Sequence, residues 1–145
     1  MSRLTEAILA EKAAAIERHL ARVEERLPAD PEALVPSTDA SDAVILHLWQ
    51  AVQIAIDTAL SACIQLGLGT PSTYGDTFRY LATAGKLEPE LAERLAKAAG
   101  FRNLVVHGYE KLDLERIHRA ASDGPDVLRE FLAQIREALR GDEAG

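Results

Sequence analysis

The sequence of 145 residues has one cysteine, few aromatic residues and fewer basic than acidic side chains. Cys63 stands alone, which excludes an internal disulfide and makes a reducing, cytoplasmic setting the expected one. Only 16 Lys and Arg residues stand against 23 Asp and Glu residues, for a formal net charge of −7. Proteins that coat nucleic acid use broad basic surfaces. The charge therefore argues against that class and leaves room for a local site, or for a cationic patch built by several copies.

Neither a leader peptide nor an uninterrupted apolar span is expected from the distribution of charges along the sequence. Charges are spread through residues 1–20, so neither a signal peptide nor a transit peptide is expected. The most apolar stretch, 44–66, is interrupted by polar side chains, which is wrong for a membrane span. We therefore expect a soluble protein with no membrane contact.

Metal and cofactor motifs are missing as well. His19, His47 and His118 have no spacing to other His, Cys or acidic residues that would make a credible metal site. No Gly-rich phosphate loop follows a strand. We expect no metal and no cofactor.

Helical periodicity dominates what is present. Apolar residues from Leu4 to Leu27 fall mostly at helical spacing and predict an amphipathic helix that stops at Pro28. Residues 28–41 predict a connecting loop, and Thr38, Asp39 and Ser41 near its end are candidate N-caps of the next helix. The next helix is apolar on nearly all sides and ends at Gly67 or Gly69. We place it at the centre of a bundle.

The second half predicts further helices. One starts at Thr70–Pro71 and ends at Gly85, and another runs from Glu88 or Pro89 to Gly108. Asp113 caps a short helix, Pro125 opens a last one, and 141–145 form a frayed tail. No strand pattern occurs. The sequence thus predicts a single all-α domain over 1–145, an antiparallel four-helix bundle with additional short helices.

The segment RNLVVHGY carries the residues suited to chemistry. At about 100° per residue, Asn103 and His107 share one helix face and Arg102 lies beside them. Gly108 ends the helix and allows Tyr109 to orient separately. Arginine is a permanent cation suited to phosphate, and histidine moves protons near neutral pH, so the pair suits phosphodiester cleavage.

A purely structural interpretation of these residues is also open. Arg102 would then pair with a nearby carboxylate, of Glu88, Glu90 or Glu93. His107 would be a cation at a helix C-terminus, and Tyr109 would pack at the edge of the core. Spacing alone favours this interpretation, because one Arg and one His on a helix are common.

Asp57 is a supporting candidate on the second helix. It follows Gln53 by four residues and so shares its face, from which it would orient Arg102 or His107. A solvated polar stripe explains the same spacing equally well, and both explanations stay open.

The pattern R-x-x-x-x-H-x-Y resembles the signature of the HEPN superfamily. Two further segments strengthen this resemblance: LHLWQAVQIAIDTALSACIQLG before the motif, and LAKAAGFRNLVVHGYEKLD around it. Over roughly Ser41 to Asp113 the chain is similar to the HepT family of HepT/MntA toxin–antitoxin pairs. Gly108 and Glu110 depart from the residues expected beside the motif, but the three motif positions are intact.

This resemblance implies a metal-independent RNA endonuclease in which two motifs meet at a homodimer interface. His107 would be the general acid or base, Arg102 would stabilise charge on the phosphorus, and Asn103 would orient the phosphate or the imidazole. The substrate would be tRNA or mRNA. A partner nucleotidyltransferase, the MntA-like antitoxin, would silence the toxin by transferring AMP to Tyr109. The alternatives are a non-catalytic HEPN module that binds the transferase or a nucleotide, and a purely structural helical dimer.

Overall fold

The structure of the protein, a computed structural model, describes residues 3–108 and 113–144, without the side chains of 106–108 and 142–144. Five α-helices make up most of this range: α1 over Glu6–Arg26, α2 over Asp39–Gln65, α3 over Tyr74–Thr83, α4 over Pro89–Gly108 and α5 over Leu114–Ala144. The part of the chain described contains no strand. The predicted all-α bundle, with four long helices and short additional ones, is confirmed.

Local capping fixes where the first helices begin and end. The Thr5 hydroxyl accepts from the backbone N–H of Ile8 at the start of α1. Thr38 and Ser41 form a reciprocal capping box that starts α2 at Asp39. The connecting loop is therefore shorter than the predicted 28–41, and a 3-10 turn over Pro31–Ala33 lies within it.

Helix α2 is the centre of the bundle, as its composition predicted, and packs against α1, α3, α4 and α5. It is also long and apolar enough to cross a membrane, but half of its most apolar window is buried inside the fold. Core helices of soluble proteins have the same character. Cys63 is fully buried in this helix, and the burial raises the pKa of its thiol to about 11.

Aromatic packing joins α3 to α5 within the core. The rings of Phe78 on α3 and Phe131 on α5 are fully buried and meet edge to face, with centroids 5.7 Å apart. This arrangement is preferred by aromatic pairs because the positive ring edge meets the negative ring face. It connects α3 and α5 around α2.

Helix α3 starts later than the sequence predicted. The N-cap is Thr73, whose hydroxyl accepts from the N–H of Asp76 at 3.0 Å, rather than Thr70 before Pro71. The reason lies in the preceding turn, where Gly67 and Gly69 both have positive φ angles. The two left-handed residues reverse the chain and leave Pro71 in the loop.

Helix α5 is one continuous helix, where the sequence predicted a short helix and a second one opened by Pro125. Proline removes one helical hydrogen bond. Ile117, Ala121 and Leu128 are buried on both sides of it at helical spacing, and this burial outweighs the loss. The helix also continues to Ala144, where a frayed tail over 141–145 was predicted.

A histidine pair lies between α1 and α2. The Nδ1 atoms of His19 and His47 are 3.0 Å apart, and the ring centroids are 5.2 Å apart. A hydrogen bond between ring nitrogens requires that at least one ring is neutral. Burial, followed by the nearby charges of His47 and Arg18, lowers the pKa of His19 below 6.5.

We predict that acid weakens the packing of α1 against α2 at the pair of His19 and His47. Because the folded protein disfavours protonated His19, its contribution to stability is complete above about pH 6.5 and is lost as the pH falls through the lowered folded-state pKa. Thermal unfolding between pH 7.5 and 5.5 should show a falling midpoint for the wild type and a flatter profile for His19→Gln. The exposed control Arg22→Gln should keep the wild-type slope; equal slopes in all three proteins would contradict the prediction.

We also predict that Thr73, and not Thr70, stabilises α3. Thr73→Ala removes the cap and should lower the free energy of unfolding by about 1 kcal/mol. Thr70→Ala changes an exposed loop residue and should stay within about 0.5 kcal/mol of the wild type. Urea unfolding of the two variants measures the difference, and a larger loss at Thr70 would show that the helix starts there.

Candidate active site

Residues 102–108 of the motif segment occupy the last two turns of α4. Arg102 is half-buried and Asn103 is exposed on this helix. The backbone of His107 is helical and α4 extends to Gly108, as predicted. The side chain of His107 and the whole of Tyr109 lie outside the described residues, so the predicted arrangement of His107 and Tyr109 about Arg102 stays a prediction.

Three helices contribute to the surroundings of Arg102. Its Nε donates to Gln53 Oε1 on α2 at 2.6 Å, and its Nη1 donates to Asn103 Oδ1 at 3.2 Å. The guanidinium carbon lies 5.1 Å from the centre of the Tyr74 ring at the start of α3. The arginine is thus held on one edge and stacked on one face.

Asp57 is connected to this group through Gln53. Gln53 Nε2 donates to Asp57 Oδ1 at 3.0 Å, so the order of contacts is Asp57, Gln53, Arg102, Asn103. Asp57 is exposed. The sequence placed Asp57 and Gln53 on one face of α2, and the structure puts Gln53 between the carboxylate and the arginine.

The predicted alternative, a pairing of Arg102 with a carboxylate on its own helix, is wrong for the described residues. Glu93 instead binds Arg79 on α3, with Nε 2.9 Å from the carboxylate. That hydrogen bond lowers the pKa of Glu93. The partners of Arg102 are neutral, so its positive charge is uncompensated within the part of the chain that the structure describes.

Close packing of α3 on α4 sets the position of Tyr74. A Cβ added at Gly75 would lie 3.4 Å from the Cβ of Ala96, a contact tighter than most, and 3.3 Å from Arg79 Nη1. The small residues at 75 and 96 let the two helices approach, and the ion pair of Arg79 with Glu93 joins them at the surface. The neighbouring Tyr74 ring is thereby held against Arg102.

Gln53 and Tyr74 were not predicted as site residues. A signal for Gln53 existed, since an amide in an otherwise apolar helix four residues before a carboxylate is unusual. Nothing in the sequence places Tyr74 beside Arg102. The two residues are 28 positions apart and lie on different helices, α3 and α4.

Chemically, the Arg102 guanidinium is a cation held by its neighbours, and some of its N–H groups have no acceptor among the described residues. A guanidinium has five N–H groups, and two of them are used by Gln53 and Asn103. The remaining donors suit an oxyanion such as a phosphate. The described residues hold no group of three or more His, Cys, Asp or Glu side chains that would bind a metal ion.

The fold and the site together define a helical protein of the HEPN type. The chain is similar in structure to a tri-AMPylated Shewanella oneidensis HEPN toxin in complex with an MNT antitoxin, with a TM-score of 0.81 and 27% sequence identity. The similarity covers 92% of this chain and 99% of that one. The likeness therefore extends over the whole domain.

The family follows from the sequence comparisons. The model of the HepT-like family, described as ribonuclease HepT-like, matches residues 16–135, and the chain belongs to this family, which confirms the resemblance. It is 28% identical to an mRNA nuclease HepT of Shewanella oneidensis, covering 89% of this chain and 96% of the relative. It is also 28% identical to a putative RNase of Archaeoglobus fulgidus, covering 85% and 94%.

Proposed function

We propose that this protein is a metal-independent RNA endonuclease and the toxin of a toxin–antitoxin pair, with Arg102 and His107 as its catalytic residues. The observation that carries the proposal is the uncompensated, positioned cation of Arg102 within a chain of the HepT-like ribonuclease family. The curated relatives are an mRNA nuclease and a putative RNase, which supports RNA as the substrate.

The chemistry uses the ribose 2′-hydroxyl as nucleophile. His107 takes or delivers the proton, since an imidazole does both near neutral pH. As the 2′-oxygen bonds to phosphorus, the bond to the 5′-oxygen breaks and that oxygen receives a proton. Arg102 stabilises the added negative charge on the phosphoryl oxygens, and Asn103, bonded to Arg102, orients the same group.

A homodimer gives this acidic chain a stronger cationic site. Each chain brings one Arg102, so two copies bring two guanidinium groups to a shared cleft. Exposed apolar side chains on the same face of α2 as Gln53 support an interface there: Leu46 is 49% exposed and Ile64 46%.

Regulation acts on the tyrosine of the motif. A related HEPN toxin is AMPylated in its complex with an MNT antitoxin. We propose that a nucleotidyltransferase partner of this chain transfers AMP to Tyr109, seven residues after Arg102. The added phosphates compete with RNA phosphate for the arginine and obstruct the cleft. The pair acts in the cytoplasm, where RNA is present and the free thiol of Cys63 stays reduced.

The catalytic assignment predicts that Arg102→Ala and His107→Ala each lower RNA cleavage by about 100-fold or more while the helical circular dichroism is unchanged. Arg94→Ala, which removes an exposed arginine from the same helix, is the matched control and should cleave within about twofold of the wild type. The assay is cleavage of labelled tRNA and mRNA with excess EDTA. Wild-type rates in both variants would refute the site, and loss of activity with EDTA would refute metal independence.

The regulatory assignment predicts that Tyr109→Phe still cleaves RNA but is not silenced by the nucleotidyltransferase and ATP. The reason is that the phenol oxygen accepts AMP and takes no part in cleavage. Mass spectrometry of the intact chain measures the AMP added, and Tyr80→Phe, an exposed tyrosine on α3, should be modified as the wild type is. Loss of cleavage in Tyr109→Phe would assign that residue to catalysis. A wild-type protein that is modified but cleaves no RNA would be a binding module instead.

A further inference from the structure

One edge of the Arg102 guanidinium is closed by α2. A guanidinium binds an oxyanion through two parallel N–H groups, either on its side edge, which includes Nε, or on its end edge, formed by Nη1 and Nη2. Gln53 Oε1 lies 2.6 Å from Nε and accepts its only proton. The side edge is therefore unavailable to a ligand, and the end edge is left.

Asp57 decides which way the Gln53 amide faces. A guanidinium only donates and a carboxylate only accepts, so the amide must present its oxygen to Arg102 and its nitrogen to Asp57. The observed contacts, 2.6 Å to Nε and 3.0 Å to Asp57 Oδ1, satisfy both ends. A flipped amide would place two donors together at one end and two acceptors at the other.

Tyr74 limits the tilt of the same guanidinium. Its ring lies under the guanidinium carbon at 5.1 Å, within the range of an attractive cation–π contact. The ring is half-buried and sits at the first residue of α3, directly after the Thr73 cap. The hydrogen bond fixes one edge and the ring covers one face, so together they restrain rotation about the last bonds of the arginine.

We propose that Gln53, oriented by Asp57 and aided by Tyr74, is the positioning residue that makes Arg102 present its Nη1–Nη2 edge to a phosphate of the RNA. The inference rests on the proposed function and adds to it the direction from which the phosphate is bound. Nη1 donates one proton to Asn103, which leaves one N–H group on Nη1 and two on Nη2 without a partner within the described part of the chain.

The first test measures the arginine itself and does not depend on activity. In the 15N-labelled full-length protein, the Arg102 Nε–H signal, identified by its loss in Arg102→Lys, should exchange slowly with water because Gln53 accepts it. Gln53→Met keeps the length of the side chain but removes the acceptor, and should speed this exchange by about 10-fold or more. Gln50→Met, a half-buried glutamine one turn earlier on α2, is the control and should leave the exchange unchanged.

The second test measures catalysis. A misdirected guanidinium loses contacts that matter most in the transition state, so Gln53→Met should lower kcat by about 10-fold to 100-fold and change KM for RNA by less than about threefold. Asp57→Ala and Tyr74→Leu should each give smaller losses of kcat. In an Arg102→Lys background, Gln53→Met should add no further loss, since Gln53 acts only through the guanidinium.

The outcomes separate this proposal from the proposed function. Faster Nε–H exchange in Gln53→Met together with the loss of kcat supports the positioning role. Faster exchange in Gln53→Met with an unchanged kcat overturns this role. The role is also overturned if Gln53→Met lowers kcat by the same factor in the Arg102→Lys background as in the wild type, because that would show a structural effect that does not act through the guanidinium. Wild-type protein that cleaves no RNA would overturn the proposed function, while the exchange measurement would still report whether Gln53 holds Arg102.

Discussion

Helix α2 at the centre of the bundle is the constraint on which the rest of the structure depends. Four helices pack against it, and its apolar residues form the middle of the core. A helix in this position has few places for polar side chains, because an unpartnered buried polar group is costly. The amide of Gln53 is tolerated because α4 brings the guanidinium of Arg102 to its oxygen, and Asp57 accepts from its nitrogen.

The site is therefore a consequence of how polar groups are satisfied on a mostly apolar helix. Arg102 reaches α2 from the last turns of α4, and α3 reaches Arg102 through Tyr74. Each helix supplies one restraint, and none supplies the negative charge that would neutralise the arginine among the described residues. The contacts that hold the guanidinium leave its charge without a neutralising partner in this part of the chain, as the proposed binding of phosphate requires.

The acidic net charge of this chain is compatible with the binding of RNA, which is itself negatively charged, if the binding site is local. The net charge of −7 belongs to a surface on which arginines such as Arg129 and Arg140 are bound by glutamates between α1 and α5. Exposed pairs of this kind add little stability, but they withdraw those cations from contact with RNA. Arg102 is different because its partners are neutral, so the proposed function concentrates RNA recognition at one local site instead of spreading it over the surface.

By itself the sequence determined the helical class, the central position of α2, the boundary residues Gly85 and Gly108, and the motif of Arg102, His107 and Tyr109 with Asn103 beside it. Periodicity, capping and motif spacing are local properties, so they can be read without the fold. Tertiary structure alone decided that α5 passes through Pro125, that Tyr74 lies beside Arg102, and that Arg102 bonds Gln53 instead of a glutamate on its own helix. These depend on burial and on contacts between residues 28 to 49 positions apart, for which local sequence carries no signal.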